Sequence, residues 1–149
     1  MIKKNKNIID SISFNFNIWG INSPLEDYRL CWLLNKILDW KLKRVDDIAF
    51  YQQKEKRYIN FNAYKYVNEL DFYTIEIIKN KHDGNILIPE MKNFDYIFLF
   101  QGEEDYFNKD EITQVLKQIK GIQSIFEIDI ENIKTKYNLL MRHFNDKQK

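Results

Sequence analysis

"ILIPEMKNFDYIFLF" runs from Ile86 to Phe100, and how it is read decides the fold. Pro89 has no N–H to give to a ladder, so it belongs at a strand end or bulge. It also biases Ile88 toward extended geometry. After it, Tyr96 to Phe100 is uninterruptedly apolar, the mark of a central strand covered on both faces. Between the two lie Glu90 and Asp95. Both are placed to accept backbone N–H groups, Glu90 from the turn Met91 to Phe94 and Asp95 where the chain re-enters the sheet. The Tyr96 hydroxyl is within chain reach of either carboxylate. Read this way, the stretch is a corner locked by a proline and two acids. The competing reading is a working site.

Moving outward, Gly102 ends the strand, and "NKDEITQVLKQIKG" reads as a helix. Asn108 is its cap, with Asp110 and Glu111 in the first turn. Ile112, Val115, Leu116 and Ile119 form one apolar stripe, and Gly121 is the stop. "IQSIFEIDI" (Ile122 to Ile130) is a last strand. Asp129 is placed to cap a final helix with Ile133, Tyr137, Leu140, Met141 and Phe144 on its apolar face. On the upstream side, Asp83-Gly84 is a hairpin dipeptide. "DIAFYQQ" (Asp47 to Gln53), "YINFNAYKY" (Tyr58 to Tyr66) and "FYTIEIIK" (Phe72 to Lys79) are strands joined by short polar turns, the pattern of an antiparallel meander.

Near the start, "SISFNFNIW" alternates. Ile12, Phe14, Phe16 and Ile18 share one face, and Ser11, Ser13, Asn15 and Asn17 the other, which predicts a strand with a wet side. "NSPLEDYRLCWLLNKILDW" then predicts a helix capped by Ser23, with Pro24 at its first position and Glu26 completing a capping box. Its Leu30 to Leu34 run predicts deep burial, and Lys41 to Arg44 mark its exit.

The predicted class is α+β: a mostly antiparallel sheet of about five to seven strands, with two or three helices packed mainly on one face, in the order β-α-β-β-β-β-α-β-α. The unit from Asp95 to Ile128 predicts one parallel crossover if its strands share a sheet. Residues 1–149 read as a single domain, with flexible tails at 1–10 and 145–149.

Composition supports a folded chain. Of 149 residues, 44% are hydrophobic and 15% aromatic, with only 4 Gly and 2 Pro. A net charge of +1 supplies no field to draw in nucleic acid or an anionic membrane. No stretch approaches a membrane span and no secretory leader is visible, so a cytoplasmic protein is expected. Ile, Lys and Asn are abundant, as an AT-rich coding sequence favours, so individual lysines and asparagines carry little functional weight.

Candidate chemistry is sparse. The one cysteine, Cys31, sits in an apolar helix and is expected to be an inert thiol. His82 and His143 have no partner at metal-ligand spacing. Glu103, Glu104, Asp105, Asp110 and Glu111 match no calcium loop, and acids at a helix start offset its dipole. No Gly-rich phosphate loop or nucleophile elbow is present. No catalytic residue, metal or cofactor is therefore assigned. Tyr58, Tyr64 and Tyr66, with Asn60 and Asn62, are expected to line an exposed sheet face suited to a protein partner. With Lys54, Lys56, Arg57 and Lys65 nearby, the same face offers a weaker reading, single-stranded RNA.

"IPEMKNFDYIFLFQGEE" also resembles the signature of the bacterial IPExxxVDY family, through Ile88, Pro89, Glu90, Asp95 and Tyr96, followed by an apolar strand and Gly102-Glu103. Phe94 stands where the signature has Val. The resemblance implies a small cytoplasmic bacterial protein and carries over no activity, cofactor or catalytic residue. It singles out Pro89, Glu90, Asp95, Tyr96, Gly102 and Glu103 as binding candidates. The expected function is non-enzymatic protein binding or regulation. The alternative is a small-molecule protein or enzyme with a site near Glu90, Asp95, Tyr96 and Glu103.

Overall fold

The computed structural model describes residues 16–102, 108–135 and 138–139. Glu103 to Asp105, residues 11–15 of the expected first strand, most of the expected last helix, His143 and both tails lie outside them. Among the described residues, eight strands and two helices with full bounds follow one another: β1 (Phe16–Asn22), α1 (Asp27–Leu38), β2 (Lys43–Gln52), β3 (Arg57–Asn68), β4 (Tyr73–Lys79), β5 (Lys81–His82), β6 (Asn85–Ile86), β7 (Tyr96–Gly102), α2 (Lys109–Lys117) and β8 (Ser124–Ile128). Six strands form one sheet in the order β2-β3-β4-β7-β1-β8, with every neighbouring pair antiparallel. The α+β class is as read from the sequence. β5 and β6 make a separate two-stranded ribbon, turned at Asp83 and Gly84, both with positive φ. Because β1 lies antiparallel between β7 and β8, those two run parallel, and α2 is the crossover between them.

β7 occupies the interior of the sheet, and Tyr96 to Phe100 are all buried. Tyr96, Phe98 and Phe100 join Trp19, Ile21, Ile75 and Ile77 under α1 and α2. Ile97 and Leu99 point the other way, with Ile18, Phe61 and Ile78. That second face is covered too, by Leu87, Ile88 and Met91 of the proline corner and by Ile133 and Leu139. The sheet is thus sandwiched between a helical layer and an irregular one. Among the described residues no helix is long and apolar enough to cross a membrane.

Several local expectations are corrected. Most of the wet side expected of β1 lies outside the described residues; beyond half-exposed Asn17, Trp19 and Ile21 on that side pack on the helices, because β1 is an interior strand. Ser23 does not cap α1. The helix starts at Asp27, with Glu26 in the cap position and no side-chain cap bond. The Ser23 hydroxyl instead donates to Gly121 O at 2.6 Å and accepts from Leu25 N. α1 is not deeply buried all round. Its inner stripe is Asp27, Leu30, Cys31 and Leu34, and Trp32 is 62% exposed on the far side. The helix ends before Asp39, which is left-handed (φ 55°) and turns Trp40 back onto Phe98, while Lys43 and Arg44 belong to β2. Asp129 caps a single 3-10 turn, Ile130–Asn132.

Candidate functional site

The corner is built around a residue that sequence reasoning passed over. Asn80 follows β4 and is completely buried. Its amide donates to Met91 O at 2.9 Å and Phe94 O at 3.1 Å, and its side-chain oxygen accepts from Ile88 N at 3.0 Å. Its backbone adds bonds to Asp95 O and from Leu87 N. A buried loop must satisfy its own polar groups. Here the turn makes three bonds of its own, Met91 N to Ile88 O, Lys92 N to Pro89 O and Phe94 N to Met91 O, and the Asn80 side chain adds three more. Pro89 opens a 3-10 turn, Pro89–Met91, where its missing N–H costs nothing. Phe94 then lies over Gly20 so closely that a Cβ there would stand 2.3 Å from its ring.

The candidate side chains diverge from this corner. Glu90 does not cap its own turn. Its carboxylate accepts from Thr135 N at 2.9 Å and from the Thr135 hydroxyl at 3.0 Å, tying down the C-terminal segment. Burial would raise its pKa, but these bonds outweigh that and hold it below the usual range. Asp95 accepts from Ser23 N at 3.1 Å and pairs with Lys81 Nζ at 3.3 Å. The Tyr96 hydroxyl reaches neither acid. It donates to Leu25 O at 2.5 Å, just before α1. Burial, followed by the charges of Asp27 and Glu26, pushes its pKa up, so it stays a phenol. Gly102 ends β7 beside Tyr73, whose Cβ would be 2.7 Å from an added methyl. Glu103 lies outside the described residues. Pro89, Glu90, Asp95 and Tyr96 therefore form a junction that ties together three segments distant in sequence, not one concave site.

A second polar cluster lies at the start of α1. Asp27 is buried, and one of its oxygens accepts from Asn62 Nδ2 at 2.8 Å and Tyr64 OH at 3.1 Å. Asn62 Oδ1 in turn accepts from Arg44 at 2.8 Å, and Arg44 lies over the Tyr64 ring and pairs with Asp47. Burial alone would raise the Asp27 pKa, but its hydrogen bonds hold it below 3.8. Burial and the Asp27 charge push Tyr64 up to about 12. Cys31, one turn along, is raised mainly by burial. The cluster pins α1 to β2 and β3 with a fixed pattern of charge. None of its shifts brings a group toward neutral pH, where a general base would work.

The tyrosines share one side of β3, opposite buried Ile59, Phe61 and Ala63, but that side is not exposed along its whole length. Tyr64 and Tyr66 are half-buried against the helical layer, whereas Tyr58 is 65% exposed, its ring 5.1 Å from that of Tyr51 across the β2–β3 hairpin. Exposed apolar side chains concentrate instead at the β3–β4 turn, where Val67, Leu70 and Phe72 are 51%, 88% and 70% exposed. Asn68 Oδ1 locks that turn by accepting from Leu70 N and Asp71 N at 3.1 and 3.0 Å. Phe72 closes it in the left-handed region (φ 55°), where an aromatic residue is strained. An open groove of about 270 Å³ beside α2, walled by Trp40, Tyr73, Ile112 and Val115, contains none of the corner residues. Among the described residues no cluster of His, Cys, Asp and Glu could hold a metal ion. Compared with known proteins, the chain matches no family model, no curated protein sequence and no solved structure.

Proposed function

We propose that this chain is a protein-recognition domain whose contact element is the β3–β4 turn. The observation that carries the reading is the display of Leu70 and Phe72 to solvent, at 88% and 70% exposure, on a turn already locked by Asn68. Burying a Leu or Phe side chain against a partner is worth roughly 1.5–3 kcal/mol each. A turn already ordered loses little further entropy on binding. The strain at Phe72 supports the same reading, since backbone outliers tend to persist where they serve a purpose. The chain is further taken as a cytoplasmic protein related to the IPExxxVDY proteins, on the strength of Ile88, Pro89, Glu90, Asp95 and Tyr96.

The test is affinity purification from the source cell with mass spectrometry, comparing wild type with Leu70→Ser plus Phe72→Gly. Glycine relieves the left-handed strain at Phe72, so the variant keeps its fold while losing both apolar groups. Loss of a specific partner is the expected result. An unchanged partner set from a folded variant overturns the reading.

A further inference from the structure

We propose that one partner of the β3–β4 turn is a second copy of this chain, docked at the opposite end of the same strand. This rests on the turn being the recognition element. The two ends of β3 carry matching surfaces of opposite charge. At one end, Glu69 and Asp71 alternate with exposed Leu70 and Phe72, with no cation between Val67 and Phe72. At the other, exposed Tyr51 and Tyr58 face each other in register, beside a turn carrying Lys54, Lys56 and Arg57. Arg57 is tied to Glu55 at 2.6 Å. That leaves Lys54 and Lys56 at one end, and Glu69 and Asp71 at the other, outside any ion pair among the described residues.

The geometry forces the contact to be intermolecular. β3 is 12 residues long, which places its ends roughly 36 Å apart at about 3.3 Å per residue. An acidic turn with two apolar side chains cannot reach its own molecule's basic tyrosine pair, but it meets that of a neighbour end to end. Such a contact joins two different patches, so end-to-end copies add head to tail in a row or a ring. Two hairpin turns make a small contact, so association is weak and grows with protein concentration. Part of its driving force is charge attraction at exposed groups, so added salt weakens it.

Sedimentation velocity over a concentration series tests this with three proteins: wild type, Lys54→Glu plus Lys56→Glu, and Glu69→Lys plus Asp71→Lys. Wild type is expected to show a sedimentation coefficient that rises with concentration and falls with salt. Each charge-reversed variant, whose two ends now repel, is expected to associate roughly tenfold more weakly. An equimolar mixture of the two variants is expected to regain association, because each end again meets its opposite. Wild type that stays monomeric to millimolar concentration in low salt overturns the proposal, as does a mixture that fails to regain association. If wild type stays monomeric while the Leu70 and Phe72 variant still loses its cellular partner, self-association falls and the recognition reading stands.

Discussion

Asn80 carries three side-chain hydrogen bonds to backbone groups of the corner, of which Met91 O also accepts from Phe94 N. Asn80→Ala removes all three at once, and each buried group left unsatisfied costs roughly 1–3 kcal/mol. Urea unfolding is therefore expected to show a loss of about 3 kcal/mol or more for Asn80→Ala. Glu90→Ala, at an exposed carboxylate, is expected to cost well under that. Equal losses would mean that the corner is held by its acids after all. Gly20 is the second residue on which the corner depends. An added Cβ would sit 2.3 Å from Phe94, so Gly20→Ala forces overpacking worth about 2 kcal/mol. Adding Phe94→Val, which removes the ring, is expected to recover most of that loss in a double-mutant cycle.

At the scale of elements, α1 shows how tertiary needs displace a local rule. Ser23, Pro24 and Glu26 make a good capping signature, yet the Ser23 hydroxyl is used by Gly121 O and Leu25 N. The helix begins three residues later without a side-chain cap. Glu26→Asp keeps the charge and supplies a preferred cap, and it is expected to stabilise the protein by about 0.5–1 kcal/mol in thermal unfolding. Asp27 makes the attachment of α1 to β3 sensitive to acid. Its folded pKa is depressed, so its contribution is fully present above its ordinary value of 3.8 and is lost as pH falls through the lower folded value. The stability gap between wild type and Asp27→Asn is accordingly expected to be flat near neutral pH and to shrink below about pH 4. A gap that widens in acid would contradict the hydrogen-bonded carboxylate. The single stripe on α1 also explains Trp32. A helix lying on a sheet buries one side, so five consecutive apolar residues cannot all face in.

At the scale of the molecule, β4, β7 and β1 form the middle of a sheet covered on both faces. Amides of β7 are expected to exchange slowest with deuterium, and those of the edge strand β8 and the β2–β3 turn much faster. Uniform exchange across all six strands would argue against β7 as the sheet's interior. Covering both faces also moves the available contact surface off the sheet and onto its ends. The tyrosine face read from "YINFNAYKY" splits for this reason, with Tyr64 and Tyr66 half-buried and Tyr58 left in the open.

The sequence by itself determined what depends on neighbours a few residues away. The apolar run at Tyr96 to Phe100 meant a strand buried on both faces, Asp83-Gly84 meant a tight turn, Asn108 meant a cap (its oxygen accepts from Glu111 N at 3.0 Å), and the period-two stretches meant antiparallel strands. The position of Pro89 at a strand-breaking turn was legible in the same way. The partners of the corner were not. Glu90 meets Thr135, Asp95 meets Ser23, Tyr96 meets Leu25 and Ser23 meets Gly121, at separations of 45 to 98 residues. Side-chain type sets which bonds a residue can make, but strand order sets which groups come within 3 Å. In a chain rich in asparagine, nothing local distinguished Asn80 from its neighbours. Only the folded sheet, by burying it beside three backbone groups of the corner, made it the residue on which the corner turns.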